Sequence, residues 1–137
     1  MKKATKKRKG KLVVLLIDDD ANFRDLIKTK LEANKLVVIE AKDGKDSLAK
    51  VRAVMPDLIL LDLEMPEMNG IEVFGRLRED PVLRDTKVVF LTTHDDPRKM
   101  DWVDVEFGDL IKDVPYIRKS ETLDIVLEKI REALKNS

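Results

Sequence analysis

Three aspartates follow two apolar segments, and their placement predicts a site for a divalent cation. The apolar segment 12–17 leads directly into Asp18 and Asp19. A second apolar segment, 58–61, leads into Asp62 and then into a turn. If both segments are neighbouring parallel strands, their carboxyl ends meet at one edge of a sheet, so the three carboxylates converge there. Carboxylate oxygens are the ligands that hard divalent cations prefer.

The elements that must position these acids are predicted by the alternation of two patterns. Short, fully apolar segments alternate with segments of helical period, which is typical of βαβ units around a buried parallel sheet. Right-handed crossovers then place helices on both faces, and ligands gather beyond the carboxyl ends of the strands. The predicted strands lie near residues 12–17, 36–40, 58–61, 87–91 and 115–118.

Five helices are predicted from apolar stripes and end signals. Asp20 and Asp43 are suited to cap the first two helices. A third helix follows Gly70 and runs through Leu77, and a fourth lies within 95–107. The apolar faces of the first, second and fifth helices are Phe23, Leu26, Ile27 and Leu31; Leu48, Val51 and Val54; and Leu123, Val126, Leu127, Ile130 and Leu134.

Length and composition indicate one domain. The 137 residues are enough to bury roughly two-thirds of the unfolded surface. Cysteine is absent, which excludes disulfides and thiol chemistry and suits a reducing compartment. No apolar stretch approaches the ~20 residues of a membrane span, and the basic start lacks the apolar segment of a signal peptide. We therefore expect a cytoplasmic protein without membrane contact.

The net charge of zero hides a basic N-terminus. Seven of the 27 basic residues lie within residues 1–11, so the remainder holds 20 basic against 27 acidic residues. Such a segment is predicted to be a disordered tail, with the folded domain at 12–137. A solubilising tail, contact with nucleic acid or another acidic surface, and contact with the acidic body remain open. Elsewhere we do not expect nucleic-acid binding, and the tail has no aromatic for base stacking.

Two further strand ends complete a family pattern. The fourth predicted strand ends in Thr92, and the fifth ends in Lys119. Together with the acidic pair and the segment DLEMPEMNG that begins at Asp62, they make residues 12–135 resemble the receiver domain of two-component response regulators. The resemblance implies an α/β, flavodoxin-like fold: a doubly wound five-stranded parallel sheet of order 2-1-3-4-5, with about five helices.

The resemblance also implies a phosphorylation site. Asp62 looks like the phosphoacceptor, and Asp18, Asp19, Asp62 and the backbone carbonyl of Glu64 would hold Mg²⁺. Lys119 would meet a phosphoryl oxygen. Phosphoryl transfer depends mainly on positioning and on neutralising charge, which explains this combination of carboxylates, cation and ammonium. Self-phosphorylation and autodephosphorylation at Asp62 are implied, without turnover of external substrates.

The same resemblance implies a switch. Thr92 resembles the hydroxyl that bonds the new phosphoryl group, although a shift of one position would give that role to Thr93. Tyr116 resembles the aromatic that then turns inward and changes the face made by the fourth helix, fifth strand and fifth helix. Glu64 and His94 occupy positions that tune dephosphorylation in the family. For Tyr116 and His94, ordinary strand and loop roles remain open.

Two departures fall on the predicted read-out side. Receivers usually have proline after the lysine, with a cis peptide bond, but this chain has Ser120. A cis bond costs ~2.5–4 kcal/mol before residues other than proline, so the sequence leaves open whether this bond is cis or trans, and a trans bond would direct the Lys119 side chain differently. The segment between the fourth and fifth strands is also unusual, with Trp102, Val105 and Phe107 either packed inside or forming a partner-facing apolar patch.

Three functions follow from these patterns. The first is a stand-alone receiver, monomeric or weakly dimeric, that accepts phosphate from a sensor histidine kinase or phosphotransfer protein and signals to an unknown downstream protein. The second is an interaction module of the same fold that does not use phosphorylation. The third is a haloacid-dehalogenase-type phosphatase, suggested by Asp18 and Asp20, although Asn22 does not fit that motif and room for a substrate cap is small.

Overall fold

The computed structural model describes residues 10–65, 69–93, 96–97 and 105–135. Five strands alternate with five helices along the chain. Their order is β1 (Val13–Ile17), α1 (Ala21–Glu32), β2 (Val37–Ala41), α2 (Gly44–Val54), β3 (Leu58–Asp62), α3 (Gly70–Glu79), β4 (Val88–Thr92), α4 (Val105–Ile111), β5 (Tyr116–Arg118) and α5 (Leu123–Lys135).

The strands form one parallel sheet of order β2-β1-β3-β4-β5, as predicted. Ile17 pairs with Leu61, and Asp62 pairs with Leu91. The next residue of β4, Thr92, pairs with Arg118 at the end of β5. This register aligns the carboxyl ends of the four strands, so the residues that follow them share one edge of the sheet.

The core lies on both faces of the sheet because side chains alternate along each strand. In β3, Leu58 and Leu60 join the cluster beneath α1 and α5, whereas Ile59 and Leu61 join the cluster beneath α2, α3 and α4. Both sets are fully buried. A strand buried on both faces is apolar throughout, which is why β1, β3 and β4 appear in the sequence as continuous apolar segments.

Both predicted N-caps are present. The side chain of Asp20 accepts hydrogen bonds from the backbone N–H groups of Asn22 and Phe23 at 3.0 and 3.2 Å. Asp43 accepts one from the N–H of Asp46 at 2.7 Å. These bonds satisfy donors that have no partner inside the helix, and they set where α1 and α2 begin.

One residue of the predicted face of α1 was placed wrongly. Leu26 is 54% exposed, whereas Ile27 and Leu31 are fully buried. Leu26 and Leu31 are five positions apart, which separates them by about 140° around a helix. A single helix face cannot bury both against this sheet.

The fourth helix extends beyond the range predicted for it. Helix α4 covers Val105–Ile111, so it shares only its first residues with the predicted range 95–107. Its last residue, Ile111, is buried against the core. Gly108 and Asp109 interrupt the apolar pattern here, which obscured the helix in the sequence. The predicted packing of Trp102, Val105 and Phe107, and residues 1–9 of the predicted tail, lie outside what the structure describes.

Within the described residues, no helix has the length and apolar character needed to cross a bilayer.

Candidate functional site

Three carboxylates meet where β1 and β3 end. Asp18 and Asp62 are buried, at 0% and 1% exposure, and Asp19 is exposed. One carboxylate oxygen from each of the three lies within 4.8 Å of the others. The residues predicted to converge are therefore adjacent, with two of them shielded from water and the third facing it.

Arg24, which the sequence analysis did not single out, holds the loop that carries Asp18. Its Nη1 donates a hydrogen bond of 2.6 Å to the Asp18 carbonyl, and its Nε lies 3.1 Å from Oε1 of Glu40. The Asp18 N–H donates to the Ala41 carbonyl at 3.1 Å. Asp18 is thus tied both to α1 and to the end of β2. An arginine in the first turn of a helix gave no signal of this contact in the sequence.

The backbone of Asp62 is supported by the start of α3. A Cβ on Gly70 would overlap the Asp62 carbonyl oxygen and lie 2.9 Å from the Cα of Leu63, so only glycine allows this approach. Just before it, Asn69 and Glu72 form a capping box through hydrogen bonds of 3.0 and 3.3 Å. These contacts explain the Asn-Gly pair at this point of the chain.

Lys119 reaches the carboxylates from the end of β5. Its Nζ lies 2.7 Å from Oδ2 of Asp18 and 3.4 Å from Oδ2 of Asp62. Its backbone N–H donates to the Thr92 carbonyl at 2.8 Å. The peptide bond between Lys119 and Ser120 is trans, which answers the question that the sequence left open. With this trans bond, the Lys119 ammonium still reaches Asp62.

Burial and the neighbouring carboxylate change the acidity of the site. Burial, reinforced by the charge of Asp18, raises the pKa of Asp62 from 3.8 to about 7. The Glu64 N–H, 3.0 Å from Asp62 Oδ1, and the charge of Lys119 oppose this change. Burial acts to lower the pKa of Lys119, but its contacts with Asp18 and Asp62 outweigh burial and raise it. The lysine is therefore cationic at neutral pH.

The carboxylates suit a hard divalent cation. Asp18 Oδ2 is buried and accepts no well-aligned hydrogen bond from the described residues, although the Lys119 ammonium is close. One ammonium leaves this buried oxygen with room for a further partner, and a buried carboxylate is stabilised by additional positive charge. Three carboxylates beside one ammonium also leave excess negative charge. The donor set fits Mg²⁺, which prefers oxygen ligands and retains several waters.

The residues predicted to act in the switch lie on β4 and β5 or directly after β4. Thr92 is fully buried at the end of β4. Exposed Thr93 donates from Oγ1 to Glu64 Oε1 at 2.5 Å, and its N–H lies 3.3 Å from the same atom. This link between the β3 and β4 loops was not anticipated. Tyr116 is half-buried against the core cluster beneath α2, α3 and α4, and His94 lies outside the described residues.

The sheet topology and the acidic edge with its lysine define a doubly wound α/β domain with a charged site beyond the carboxyl ends of its strands. The family model for the response regulator receiver domain matches residues 14–113, and the chain belongs to that family. This membership supports a phospho-accepting role in signalling.

Individual relatives agree with the family assignment. The chain is 42% identical over 83 residues to Response regulator PleD of Caulobacter vibrioides, covering 60% of this chain and 18% of that protein. The Vibrio cholerae chemotaxis protein CheY4 has a TM-score of 0.78 at 25% identity, covering 90% of this chain and 98% of that one. The N-terminal domain of a response regulator receiver protein from Methanoculleus marisnigri is 30% identical with a TM-score of 0.69, covering 92% and 98% of the two chains.

The chain covers only part of the curated relatives that it matches. The chain spans between 18% and 62% of the length of three that it matches.

Proposed function

We propose that this protein accepts a phosphoryl group on Asp62 from a phosphohistidine of a sensor kinase or phosphotransfer protein. The observation that carries the proposal is the convergence of Asp18, Asp62 and Lys119. The buried carboxylate of Asp62 can act as a nucleophile. Its phosphorylated product would carry additional negative charge, which the Lys119 ammonium 3.4 Å away can neutralise. The 2.7 Å contact between Lys119 and Asp18 weighs against an interaction module that does not use phosphorylation.

The transfer is a displacement at phosphorus. A carboxylate oxygen of Asp62 forms a P–O bond as the P–N bond to the donor imidazole breaks, and the leaving imidazole takes up a proton. The product is an acyl phosphate. Asp62 must be ionised to act, and Lys119 favours the ionised form. Lys119 also neutralises charge on a phosphoryl oxygen.

Mg²⁺ fits the same place. Asp18, Asp19 and Asp62 would hold it, together with the Glu64 backbone carbonyl. When bound, the ion supplies positive charge that offsets repulsion between the carboxylates and the phosphoryl oxygens. Asp18 and Asp19 would hold the ion beside Asp62.

The output is a change in contacts with a downstream protein. Thr92 is buried at the end of β4 beside the acceptor, where its hydroxyl would bond the new phosphoryl oxygen. Tyr116 follows on the adjacent strand, half-buried, and its inward turn would change the face formed by α4, β5 and α5. Phosphorylation thereby favours one of two arrangements of that face.

Glu64 is proposed to tune how long the phosphoryl group remains. Its side chain accepts a hydrogen bond from the Thr93 hydroxyl at 2.5 Å, which joins the segment after β3 to the segment after β4. His94 is proposed to share this role.

The test is intact mass spectrometry after incubation with Mg²⁺ and acetyl phosphate. The wild type should gain one phosphoryl group per chain, and Asp62→Ala should gain none. Asp85→Asn is the matched control because Asp85 is exposed and precedes β4, at the opposite end of the sheet. It should react like the wild type. No adduct on the wild type, even with a candidate kinase present, would contradict the proposal, as would an adduct that persists in Asp62→Ala.

A further inference from the structure

The ring of Phe23 lies against the ammonium of Lys119. Lys119 Nζ is 4.8 Å from the centroid of the ring, within the range of a cation–π contact. The Lys119 side chain is only 14% exposed, so water screens this contact weakly. Phe23 therefore touches the cation on which the proposed phosphoryl transfer depends.

The fold brings these two residues together through alternation along the strands. Residues of β1, β3 and β5 two positions before Asp18, Asp62 and Lys119 all belong to the cluster beneath α1 and α5. The three site residues therefore point toward the same side of the sheet. Phe23 packs against that same cluster. Asp20 caps α1 and binds the Phe23 N–H, which fixes the ring at the start of the helix.

The ring supplies a restraint on Lys119 that the backbone does not. The Lys119–Ser120 bond is trans, and a strand-end hydrogen bond to the Thr92 carbonyl holds the lysine backbone near the site. Four rotatable bonds separate this backbone from the ammonium. Carboxylates attract the ammonium from one side, and the ring of Phe23 contacts it from another.

We propose that Phe23 is a positioning residue that keeps the Lys119 ammonium at Asp62 through the face of its ring. This inference rests on the proposed function. When a phosphoryl group reaches Asp62, Lys119 must exchange part of its contact with Asp18 for a phosphoryl oxygen. A cation–π contact allows this exchange because it attracts the ammonium over the ring face without requiring a particular N–H direction, and it offers no competing acceptor oxygen.

The proposal predicts different effects for an aromatic ring and for an aliphatic side chain at position 23. Phe23→Leu keeps an apolar group against the core but removes the ring, whereas Phe23→Tyr keeps both. With acetyl phosphate and saturating Mg²⁺, Phe23→Leu should reduce the maximal phosphorylation rate by about three- to tenfold. Phe23→Tyr should remain within about twofold of the wild type. Urea unfolding of each variant will show whether the fold is retained.

A second measurement needs neither metal nor phosphodonor. In metal-free protein, ring currents should shift the NMR signals of the Lys119 side-chain protons, and Phe23→Leu should abolish that shift while Phe23→Tyr retains it. Unshifted Lys119 signals in the wild type would overturn the contact. Equal slowing by both substitutions, or no slowing by Phe23→Leu, would overturn the positioning role. If the wild type accepted no phosphoryl group, the proposed function and the positioning role would both fail, and the NMR comparison would still decide whether Phe23 contacts Lys119.

Discussion

Replacing Asp62 with asparagine should stabilise the metal-free protein above neutral pH. The Asp62 carboxyl has an ordinary pKa of 3.8 in the unfolded chain and a pKa of about 7 in the fold, because of burial and the nearby Asp18 carboxylate. Between these values the folded protein keeps a proton that the unfolded chain has lost. The free energy of unfolding therefore falls as pH rises through this window, and the stabilisation present below pH 3.8 is lost above about pH 7.

The size of the effect follows from the pKa difference. Each pKa unit corresponds to about 1.4 kcal/mol, so the full difference would be worth about 4 kcal/mol. Relaxation of the protein reduces such energies even at buried groups, and we expect roughly half of that value. An amide can still accept from the Glu64 N–H and can donate to Asp18. Asp62→Asn should therefore gain about 2 kcal/mol at pH 8 and less than about 1 kcal/mol at pH 4.5.

Equilibrium unfolding in urea, followed by far-UV circular dichroism in EDTA, measures both values. Asp19→Asn is the matched control because Asp19 belongs to the same cluster but is exposed. It should change stability by no more than about 0.5 kcal/mol. Mg²⁺ should then stabilise the wild type more than Asp62→Asn. An Asp62→Asn protein that is no more stable than wild type at pH 8, or whose advantage does not depend on pH, would refute the reasoning.

Three further predictions concern the supports of the site. Gly70→Ala should lower the free energy of unfolding in urea by about 2 kcal/mol or more and slow phosphorylation at Asp62, because the added Cβ overlaps backbone atoms. Gly75→Ala is the control on the same helix: its Cβ enters open space, so it should stabilise the protein by about 0.5–1 kcal/mol. Equal effects of the two substitutions would contradict this account. Arg24→Met should cost about 1–3 kcal/mol by freeing the Asp18 carbonyl; unchanged unfolding would show that this bond is dispensable. Asp18→Asn should weaken Mg²⁺ binding in calorimetry by about tenfold or more, and unchanged affinity would remove Asp18 from the ligand set.

Local patterns in the sequence predicted most of the fold. Apolar strands and amphipathic helices have different periods, and short polar residues at helix starts have specific hydrogen-bonding uses, so β1, β3, α5 and the caps Asp20 and Asp43 could be placed from residue order alone. Errors arose where the pattern was ambiguous. Leu26 adjoined the apolar stripe of α1 but is exposed, and α4 was predicted to end by residue 107 but continues to Ile111, because Gly108 and Asp109 interrupt the apolar pattern.

The sequence by itself also determined that Asp18, Asp19 and Asp62 would meet, because the ends of parallel strands share one edge of a sheet. Only the tertiary structure decided how the site is supported and charged. The raised pKa of Asp62 depends on burial among residues far away in the chain, and the contact of Phe23 with Lys119 joins α1 to the end of β5. Periodicity records which side of its own element a residue occupies, but distances between side chains on different elements arise only when those elements pack.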